Sequence, residues 1–530
     1  MIAEPPLARS AGAAGIATLT SRILGVFRDQ VVLAVFGAGN DMDAFTVAFR
    51  IPNLVRDLFA EGAMSAAFVP TFTRHMTLEG RPAAWRLANN VITALAIATM
   101  VLVVVGLLLA RPLANAFAGD YASIPGKLEL TVHLTRIMLP FLTLAAIAAA
   151  MMGMLNSLHH YFMPAVSPAT FNVATIVAAV ALPPVMIAAG LPAISSIAIG
   201  AVAGGVTQIL VQWRALHREG FRYRPVVDWH DPALRRILVL MGPGTIGMAA
   251  TQVNVFVNTL LATSEGTGAA TWLTYAFRLM YLPIGLFGVS IATVVLPAAA
   301  RHAALEDPVA IRRTVSRGLG LMLALNIPAT IGLIALAVPI VRVLFEHGRF
   351  LSSDTDAVAA AVRLYAIGLV GYSAARIASP VFYALGRNRA PVVVSVGAVA
   401  VNIAASAMLV GVLGFRGLAL ATSIAAMAHG IALLVLLGRE LGGLEGEHLA
   451  ATLVKSVVAS AAMAATARAT HAWVTQAIQD QNTLAQASSL ALAIGAGVAV
   501  LAITAKLLRI AEFDEAVSAA TAQARKLLDG

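Results

Sequence analysis

Residues 21–70 read SRILGVFRDQVVLAVFGAGNDMDAFTVAFRIPNLVRDLFAEGAMSAAFVP. The stretch is apolar enough to enter a bilayer, yet its first nine residues contain Arg22, Arg28 and Asp29. A charged side chain at the bilayer centre costs at least about 2.5–3.5 kcal/mol on insertion scales. Such charges persist where they face a bundle interior or a water-filled cavity. The stretch therefore predicts membrane helices with a functional charged face.

The whole chain has the same apolar character. Of its 530 residues, 59% are hydrophobic and only 12% are charged, whereas a soluble domain carries about 25% charged residues. Apolar runs of about twenty residues, enough to cross a hydrocarbon core of about 30 Å, recur throughout. The chain contains no cysteine, which excludes disulfides and thiolate chemistry. Its first residues show no cleavable signal pattern. We predict an all-α polytopic membrane protein.

The hydropathy pattern predicts about fourteen spans. Their approximate windows are 12–37, 42–73, 86–110, 130–155, 162–184, 191–213, 237–262, 271–299, 316–343, 357–385, 391–413, 417–438, 450–472 and 486–508. Asp231 followed by Pro232 is a favourable N-cap and first-turn pair, so the seventh helix is predicted to begin there.

Basic residues alternate between the two sides of the predicted bundle. The connections after the second, sixth, eighth and tenth spans are rich in arginine, whereas FGAGNDMD, TSEGTGAAT and HGRFLSSDTD, on the opposite side, are not. The positive-inside rule then places both termini in the cytoplasm and requires an even number of spans. We interpret these basic loops as topology signals, so the net charge of +10 does not indicate nucleic-acid binding.

An internal repeat links the second and eighth spans. VAFRIPN around Arg50 matches YAFRLMYLP around Arg278, an offset of about 228 residues, or six spans. An even offset predicts a parallel repeat about an axis along the membrane normal, with the substrate site between the lobes. The predicted organisation is an N-lobe at 1–216, a C-lobe at 230–440, two further helices at 450–508 and a cytoplasmic amphipathic tail at 509–530.

The charges within the spans are concentrated in three helices. The set comprises Arg22, Arg28, Arg50, Arg56 and Arg278 with the acids Asp29, Asp43, Asp57 and Glu61. Mutual neutralisation is one explanation, since Arg22 and Asp29 lie about 20° apart on one helix face, as do Arg50 and either Asp43 or Asp57. The arginines outnumber the acids, however, and a guanidinium fork suits phosphate bidentately. We therefore hypothesise a cavity that binds a phosphate-bearing substrate.

No enzyme motif accompanies these charges. His159 and His160 are adjacent, so they lack the i, i+4 spacing of a helical zinc site, and the sequence contains no Walker loop. A membrane ATPase or zinc protease is not predicted, and neither is a cofactor.

Residues 21–70 also indicate a protein family. They closely resemble the N-terminal signature of the MurJ (MviN) lipid II flippases of the MOP transporter superfamily. The resemblance continues through TYAFRLMYLPIGLFGVSIATVVLP, VLFEHGRF and FYALGRNRAPV. It implies fourteen helices, two six-helix lobes around a cationic cavity, and a lipid-tail groove at the last two helices.

The resemblance also assigns site residues. The cavity arginines of the family correspond to Arg22, Arg28, Arg56 and Arg278, and the acidic positions correspond to Asp43 and Glu61. Charge placement adds Asp29 and Arg50 to the substrate-binding set.

Two features depart from relatives. Phe277 and Tyr281 replace acids beside the eighth-span arginine of some relatives. The counterparts of a sodium site in some relatives are Asn258, Asn402, Ser406 and Thr422. Both acids of that site are missing here, so sodium binding is not predicted at these residues.

The function that this resemblance implies is translocation of the undecaprenyl-diphosphate-linked peptidoglycan precursor, lipid II, across the bacterial inner membrane by alternating access. Expected partners are lipid II, membrane lipids and cell-wall synthesis proteins. Two alternatives remain at this stage. One is an exporter of another polyprenyl-linked oligosaccharide, and the other is a cell-wall scaffold that transports nothing.

Overall fold

The computed structural model describes residues 7–57, 63–478 and 482–528, which contain helices and no strands. The helices in the first half are α1 Leu7–Phe36, α2 Asn40–Arg56, α3 Ala63–Leu78, α4 Arg81–Leu108, α5 Ala110–Ala118, α6 Lys127–Met138, α7 Phe141–Ser157, α8 Phe162–Ala181, α9 Pro183–Ala188 and α10 Ser195–Arg218. The second half contains α11 Pro232–Thr263, α12 Ala269–Pro283, α13 Val289–Ala304, α14 Pro308–Phe345, α15 Ser352–Ile367, α16 Leu369–Ala384, α17 Arg389–Leu413, α18 Phe415–Glu440, α19 Gly446–Ala477, α20 Thr483–Leu507 and α21 Ala511–Leu528.

Each predicted span coincides with a helix or a consecutive helical run. In the described part of the chain, ten helices are long and apolar enough to cross a membrane, or eleven if the bent pair α15 and α16 is one span. The remaining predicted windows fall on α1, on α2 with α3, and on α11.

Local sequence explains several helix ends and breaks. Helix α11 begins as predicted, since the Asp231 carboxylate accepts a hydrogen bond from the Ala233 amide at 2.8 Å. Helix α14 is kinked at Leu336, where φ is −109° and ψ is 17°. Pro339 follows three residues later, and a proline inside a helix removes a backbone donor and clashes with the preceding turn.

The second and eighth predicted spans both contain π-helical hydrogen bonding. Residue 57, directly after α2, has π-helical hydrogen bonding, and α12 is followed by a π-helical turn at Ile284–Gly288. Adding the repeat offset of about 228 to 57 gives 285, inside that turn. Since π-helical turns are rare and frequently lie at functional sites, their matched positions support the parallel repeat.

The chain divides into two compact units. Unit 1 comprises Met1–Thr271 with His347–Leu351, and unit 2 comprises Trp272–Glu346 with Ser352–Gly530. A core in unit 1 packs side chains of α3, α4, α7 and the start of α11, among them Phe68, Phe72 and Met151. A core in unit 2 packs α13, α14, α16 and α18, among them Phe382 and Leu433. Within unit 2, α21 packs on α14 and α20, and its buried Glu512 accepts a hydrogen bond from Thr452 of α19.

Candidate functional site

In unit 1, Asp43 lies at the centre of a buried polar cluster. Its Oδ2 atom is 3.0 Å from Lys127 Nζ, and the side chains of Asp43 and Lys127 are 0% and 1% exposed. The carboxylate also accepts hydrogen bonds from the Gly268 amide at 2.7 Å and from the Thr271 amide and hydroxyl at 3.1 and 2.8 Å. Asp43 therefore binds the N-terminal turn of α12, where a negative charge is favoured by the helix dipole.

Lys127 has a second contact in this cluster. Its ammonium lies 4.0 Å from the ring centroid of Tyr121, a cation–π geometry that stabilises a desolvated cation. Burial, with the nearby Asp43 carboxylate, raises the pKa of the Tyr121 phenol, so this residue stays protonated. The cluster thus buries one acid, one base and a neutral phenol, and holds α2, α6 and the start of α12 together.

The next charged group of unit 1 is centred on Arg28 in α1. Its Nε and Nη2 atoms donate to Asp29 Oδ1 at 3.1 and 2.7 Å, and its Nη1 atom donates to Asn172 Oδ1 in α8 at 3.0 Å. The guanidinium lies 5.9 Å from the Phe171 ring centroid. The side chain is 18% exposed, so the guanidinium group is largely buried and held by its partners but keeps some contact with solvent.

Helical spacing alone places Asp29 on the same face as Arg22, but the structure gives Asp29 a different partner. The structure pairs Asp29 with its sequence neighbour Arg28, because the long arginine side chain folds back along the helix. Asn172 donates to the Ser21 carbonyl at 3.1 Å and so fixes the orientation of the amide that accepts from Arg28.

The remaining unit 1 candidates are less enclosed. Arg56 donates from Nε and Nη2 to Asp57 at 3.1 and 2.8 Å, and both side chains are about one-third exposed. Arg22 is exposed and Arg50 is half-buried. Glu61 lies outside the described residues.

In unit 2, Arg278 is half-buried on α12, and its guanidinium lies 4.9 Å from the Tyr275 ring centroid. The positions that are acidic in some relatives instead form an aromatic surface, since Phe277 and Tyr281 stack with centroids 6.1 Å apart. Arg376 of α16 donates to the Tyr281 hydroxyl at 2.5 Å. Each of these two guanidinium groups therefore lies beside a tyrosine ring.

The sodium-site counterparts contribute neutral groups only. Asn402 and Ser406 are buried on α17, and the Thr422 hydroxyl donates to the Leu418 carbonyl within its own helix at 2.9 Å. Asn258 is half-buried on α11. Among the residues that the structure describes, no group of three or more His, Cys, Asp or Glu side chains could hold a metal ion.

Sequence reasoning missed the partners Lys127, Tyr121 and Asn172. Lys127 carried a usable signal, because it is a basic residue at the start of the fourth predicted span, on the side that the positive-inside rule expects to be poor in lysine. Asn172 is likewise a polar residue inside an apolar span. Neither signal indicates which charged residue is the partner.

Comparison with known proteins gives a consistent result. The family model described as "Lipid II flippase MurJ" matches residues 32–500. The lipid II flippase MurJ of Burkholderia cenocepacia is 34% identical over 420 residues, covering 78% of this chain and 81% of that protein. The probable lipid II flippase MurJ of Rhizobium tropici is 33% identical over 498 residues, covering 93% of each chain.

Solved structures agree with this assignment. A lipid II flippase MurJ in an inward closed conformation superposes with a TM-score of 0.75 at 25% identity, covering 93% of this chain and 99% of that chain. An inward-facing MATE transporter of the MOP superfamily, at 14% identity, has a TM-score of 0.68 and covers 81% of this chain and 98% of its own. The second comparison shows a shared fold. The chain is a multi-pass inner-membrane protein that belongs to the MurJ family of lipid II flippases.

Proposed function

We propose that this protein translocates lipid II from the inner to the outer leaflet of the cytoplasmic membrane for cell-wall synthesis. The observation that carries the proposal is Arg28. Its guanidinium is held within a predicted span by Asp29, Asn172 and Phe171 and remains partly exposed. A desolvated, pre-oriented guanidinium is suited to a diphosphate, because little side-chain entropy is lost on binding.

The substrate-binding charges belong to both units. In unit 1 we assign Arg22, Arg28, Arg50 and Arg56 to the diphosphate and its sugar–peptide head group, and in unit 2 we assign Arg278. The protein acts as a transporter and not as an enzyme, so each arginine must bind the head group and then release it. Neutral partners such as Asn172 and Tyr275 orient a guanidinium without cancelling its charge.

The acids have supporting roles in this proposal. Asp29 orients Arg28 through two hydrogen bonds to one carboxylate oxygen. Asp43 secures the N-terminal turn of α12, the helix that carries Arg278. Glu61 is assigned to the head-group site from its place among the charges of the second span and from the family resemblance.

We also propose how the two lobes move, where the lipid tail lies and which side of the membrane the termini face. Two six-helix lobes, 1–216 and 230–440, alternate between inward and outward access, as in other transporters built from repeats. The undecaprenyl tail lies along the last two membrane helices, within 450–508, in apolar surroundings. Both termini, including the amphipathic tail 509–530, are cytoplasmic, because the arginine-rich connections then lie inside. Proteins of cell-wall synthesis use the delivered precursor and are the expected partners.

The proposal is tested in a bacterium whose own lipid II flippase can be shut off. The chain is expressed there, and lipid II accessible to a reagent outside the inner membrane is measured for the wild type and Arg278→Ala. Restored accessibility that is lost in the well-inserted variant supports the proposal. A wild type that inserts but restores nothing contradicts lipid II as the substrate, and an Arg278→Ala variant with full activity contradicts the cationic site.

A further inference from the structure

Two aromatic side chains accompany Arg278 on α12. Phe277 precedes it in the sequence, and Tyr281 follows it by about one helical turn. On an α-helix these three side chains fall within an arc of about 100°. The rings of Phe277 and Tyr281 stack, with centroids 6.1 Å apart and an interplanar angle of 28°. A guanidinium group and an aromatic surface are therefore neighbours on this helix.

The bent pair of helices α15 and α16 positions the Phe277 ring. The two helices meet at a bend of 43°, and each contributes one tyrosine, Tyr365 from α15 and Tyr372 from α16. Both tyrosine rings contact the Phe277 ring edge-on, with centroids 5.5 and 6.3 Å away. Tyr365 is only 7% exposed, so this side belongs to the packed interior of unit 2. We call Phe277, Tyr281, Tyr365 and Tyr372 the aromatic cluster.

The other side of the aromatic cluster is open. Tyr281 is 39% exposed, and Arg376 of α16, which is also exposed, donates to the Tyr281 hydroxyl at 2.5 Å. Arg376 lies within the tenth predicted span, where charged side chains face the bundle interior or a water-filled cavity and not the lipid tails. Because Tyr281 shares a hydrogen bond with Arg376, we infer that its exposed ring borders the same aqueous space.

The open side offers hydrogen-bond donors and an apolar ring surface. A guanidinium group has five N–H donors and no acceptor, and one donor of Arg376 is used by Tyr281. Since the Tyr281 oxygen accepts this bond, its own O–H remains able to donate to a ligand. The positive charge of Arg376 disfavours a cationic ligand. A ligand with neutral oxygen acceptors and an apolar face fits these groups.

Helix packing alone does not account for this arrangement. A tyrosine that only joins helices is buried, as Tyr365 is. Tyr281 instead presents its ring and hydroxyl at the surface, next to a charged group that has no part in the packed interior. The buried side of the aromatic cluster fixes the exposed side in place, which lowers the entropic cost of binding a ligand there.

We propose that Tyr281 and Arg376 bind the first sugar ring of the lipid-linked substrate. A pyranose ring has an apolar face of C–H groups, which packs on the Tyr281 ring, and oxygen atoms at its rim, which accept from the Tyr281 hydroxyl and from Arg376. In lipid II this sugar is bonded directly to the diphosphate, as Tyr281 directly neighbours Arg278 on α12. The inference rests on the proposed function and adds to it the residues that recognise the sugar.

The test titrates the purified full-length protein with lipid II or with undecaprenyl diphosphate, which has the same tail and diphosphate but no sugar. Tyr281→Phe removes only the hydroxyl and is expected to weaken lipid II binding about fivefold, the equivalent of one neutral hydrogen bond. Tyr281→Leu also removes the ring and is expected to weaken it further. Both variants are expected to bind undecaprenyl diphosphate as the wild type does. Arg376→Gln is expected to weaken lipid II binding more than undecaprenyl diphosphate binding.

Two further variants separate the sugar site from its surroundings. Tyr383→Leu removes a tyrosine that is 51% exposed at the end of the same helix α16, and it is expected to bind both lipids as the wild type does. Arg278→Ala removes a guanidinium group assigned to the diphosphate and is expected to weaken binding of both lipids. Thermal unfolding checks that each variant is folded, and Tyr281→Phe, which keeps the ring packing, tests the site even if Tyr281→Leu does not fold.

The outcomes distinguish this inference from the proposed function. Selective loss of lipid II binding in the Tyr281 variants supports the sugar site. Wild-type lipid II binding in these variants, or an equal loss for both lipids, would overturn the sugar site and leave lipid II as the proposed substrate. A folded wild type that binds neither lipid would contradict the proposed function itself, and the sugar site with it.

Discussion

Lys127 Nζ lies 3.0 Å from Asp43 Oδ2, in a place where both side chains are almost completely excluded from solvent. The pair joins α6 to α2, and the same carboxylate binds the first turn of α12. A buried ion pair adds little net stability over an apolar pair, but removing one partner leaves an uncompensated buried charge. The stability of this cluster therefore depends on keeping both charges or neither.

Lys127→Met is expected to lower the free energy of unfolding by about 3–5 kcal/mol, because the Asp43 carboxylate is then buried without its cation. The double variant Asp43→Asn, Lys127→Met is expected to recover part of that loss. Thermal unfolding of the detergent-solubilised protein measures both.

The matched control for this pair is Arg111→Gln. Arg111 and Glu129 form a surface pair 3.6 Å apart with side chains 70% and 62% exposed, and such pairs contribute about 0–1 kcal/mol. If Lys127→Met is no more destabilising than Arg111→Gln, the cluster is not energetically coupled as described.

Asn172→Ala is expected to weaken lipid II binding about tenfold or more, since the Arg28 guanidinium loses the neutral acceptor that orients it. Hydrogen bonds to charged groups contribute about 1.5–3 kcal/mol, and about 1.4 kcal/mol is a factor of ten. Arg28→Ala is expected to weaken binding further. Exposed Asn115→Ala is the control. Titration of the purified protein with lipid II measures the effect, and wild-type affinity in Asn172→Ala would rule out an orienting role.

Arg278→Lys is expected to reduce transport at least tenfold while preserving charge. Lysine supplies one ammonium in place of the planar fork, and it stacks less well on Tyr275. The flippase-depletion assay reports transport, and protein yield in the membrane fraction reports folding. Arg301→Lys, an exposed change on α13, is the control, and equal transport by both variants would show that charge alone suffices at position 278.

Gly371→Ala is expected to destabilise unit 2 by about 1–3 kcal/mol through overpacking. A Cβ atom at this position would clash with the Ala426 carbonyl oxygen, and a Cβ atom at Gly430 would lie 2.6 Å from the Gly371 carbonyl oxygen. Small residues permit such close helix contacts in membranes. Gly397→Ala is the control, because a Cβ atom there meets nothing within 4 Å; similar thermal stability of the two variants would contradict the tight α16–α18 contact.

Glu512→Ala is expected to lower the free energy of unfolding by about 1–3 kcal/mol and to release α21 from its site. The buried Glu512 carboxylate accepts a hydrogen bond from the Thr452 hydroxyl at 3.0 Å and lies 2.7 Å from His448 Nε2. Glu515→Ala removes an exposed partner of Arg317 and is expected to have little effect. The rate of protease cleavage within 511–528 measures this release. Equal cleavage of the two variants would argue against Glu512 as the anchor.

The sequence by itself determined the helical class, the span windows and the α11 start, and it predicted which charged residues form the site. Each of these depends on local quantities, such as the length of an apolar run, the Asp231–Pro232 cap, or the free-energy cost of Arg28 in a lipid environment. The sequence also predicted the parallel repeat, because matched residues around Arg50 and Arg278 keep the same order in both halves.

Only the tertiary structure decided which partner each charge has. Helical spacing allowed Asp29 to pair with Arg22, but the flexible side chain of Arg28 reaches the same carboxylate. Asp43 has its cation 84 positions away in Lys127 and its amide donors more than 200 positions away. Such contacts depend on how separate helices pack, and no local pattern encodes that packing.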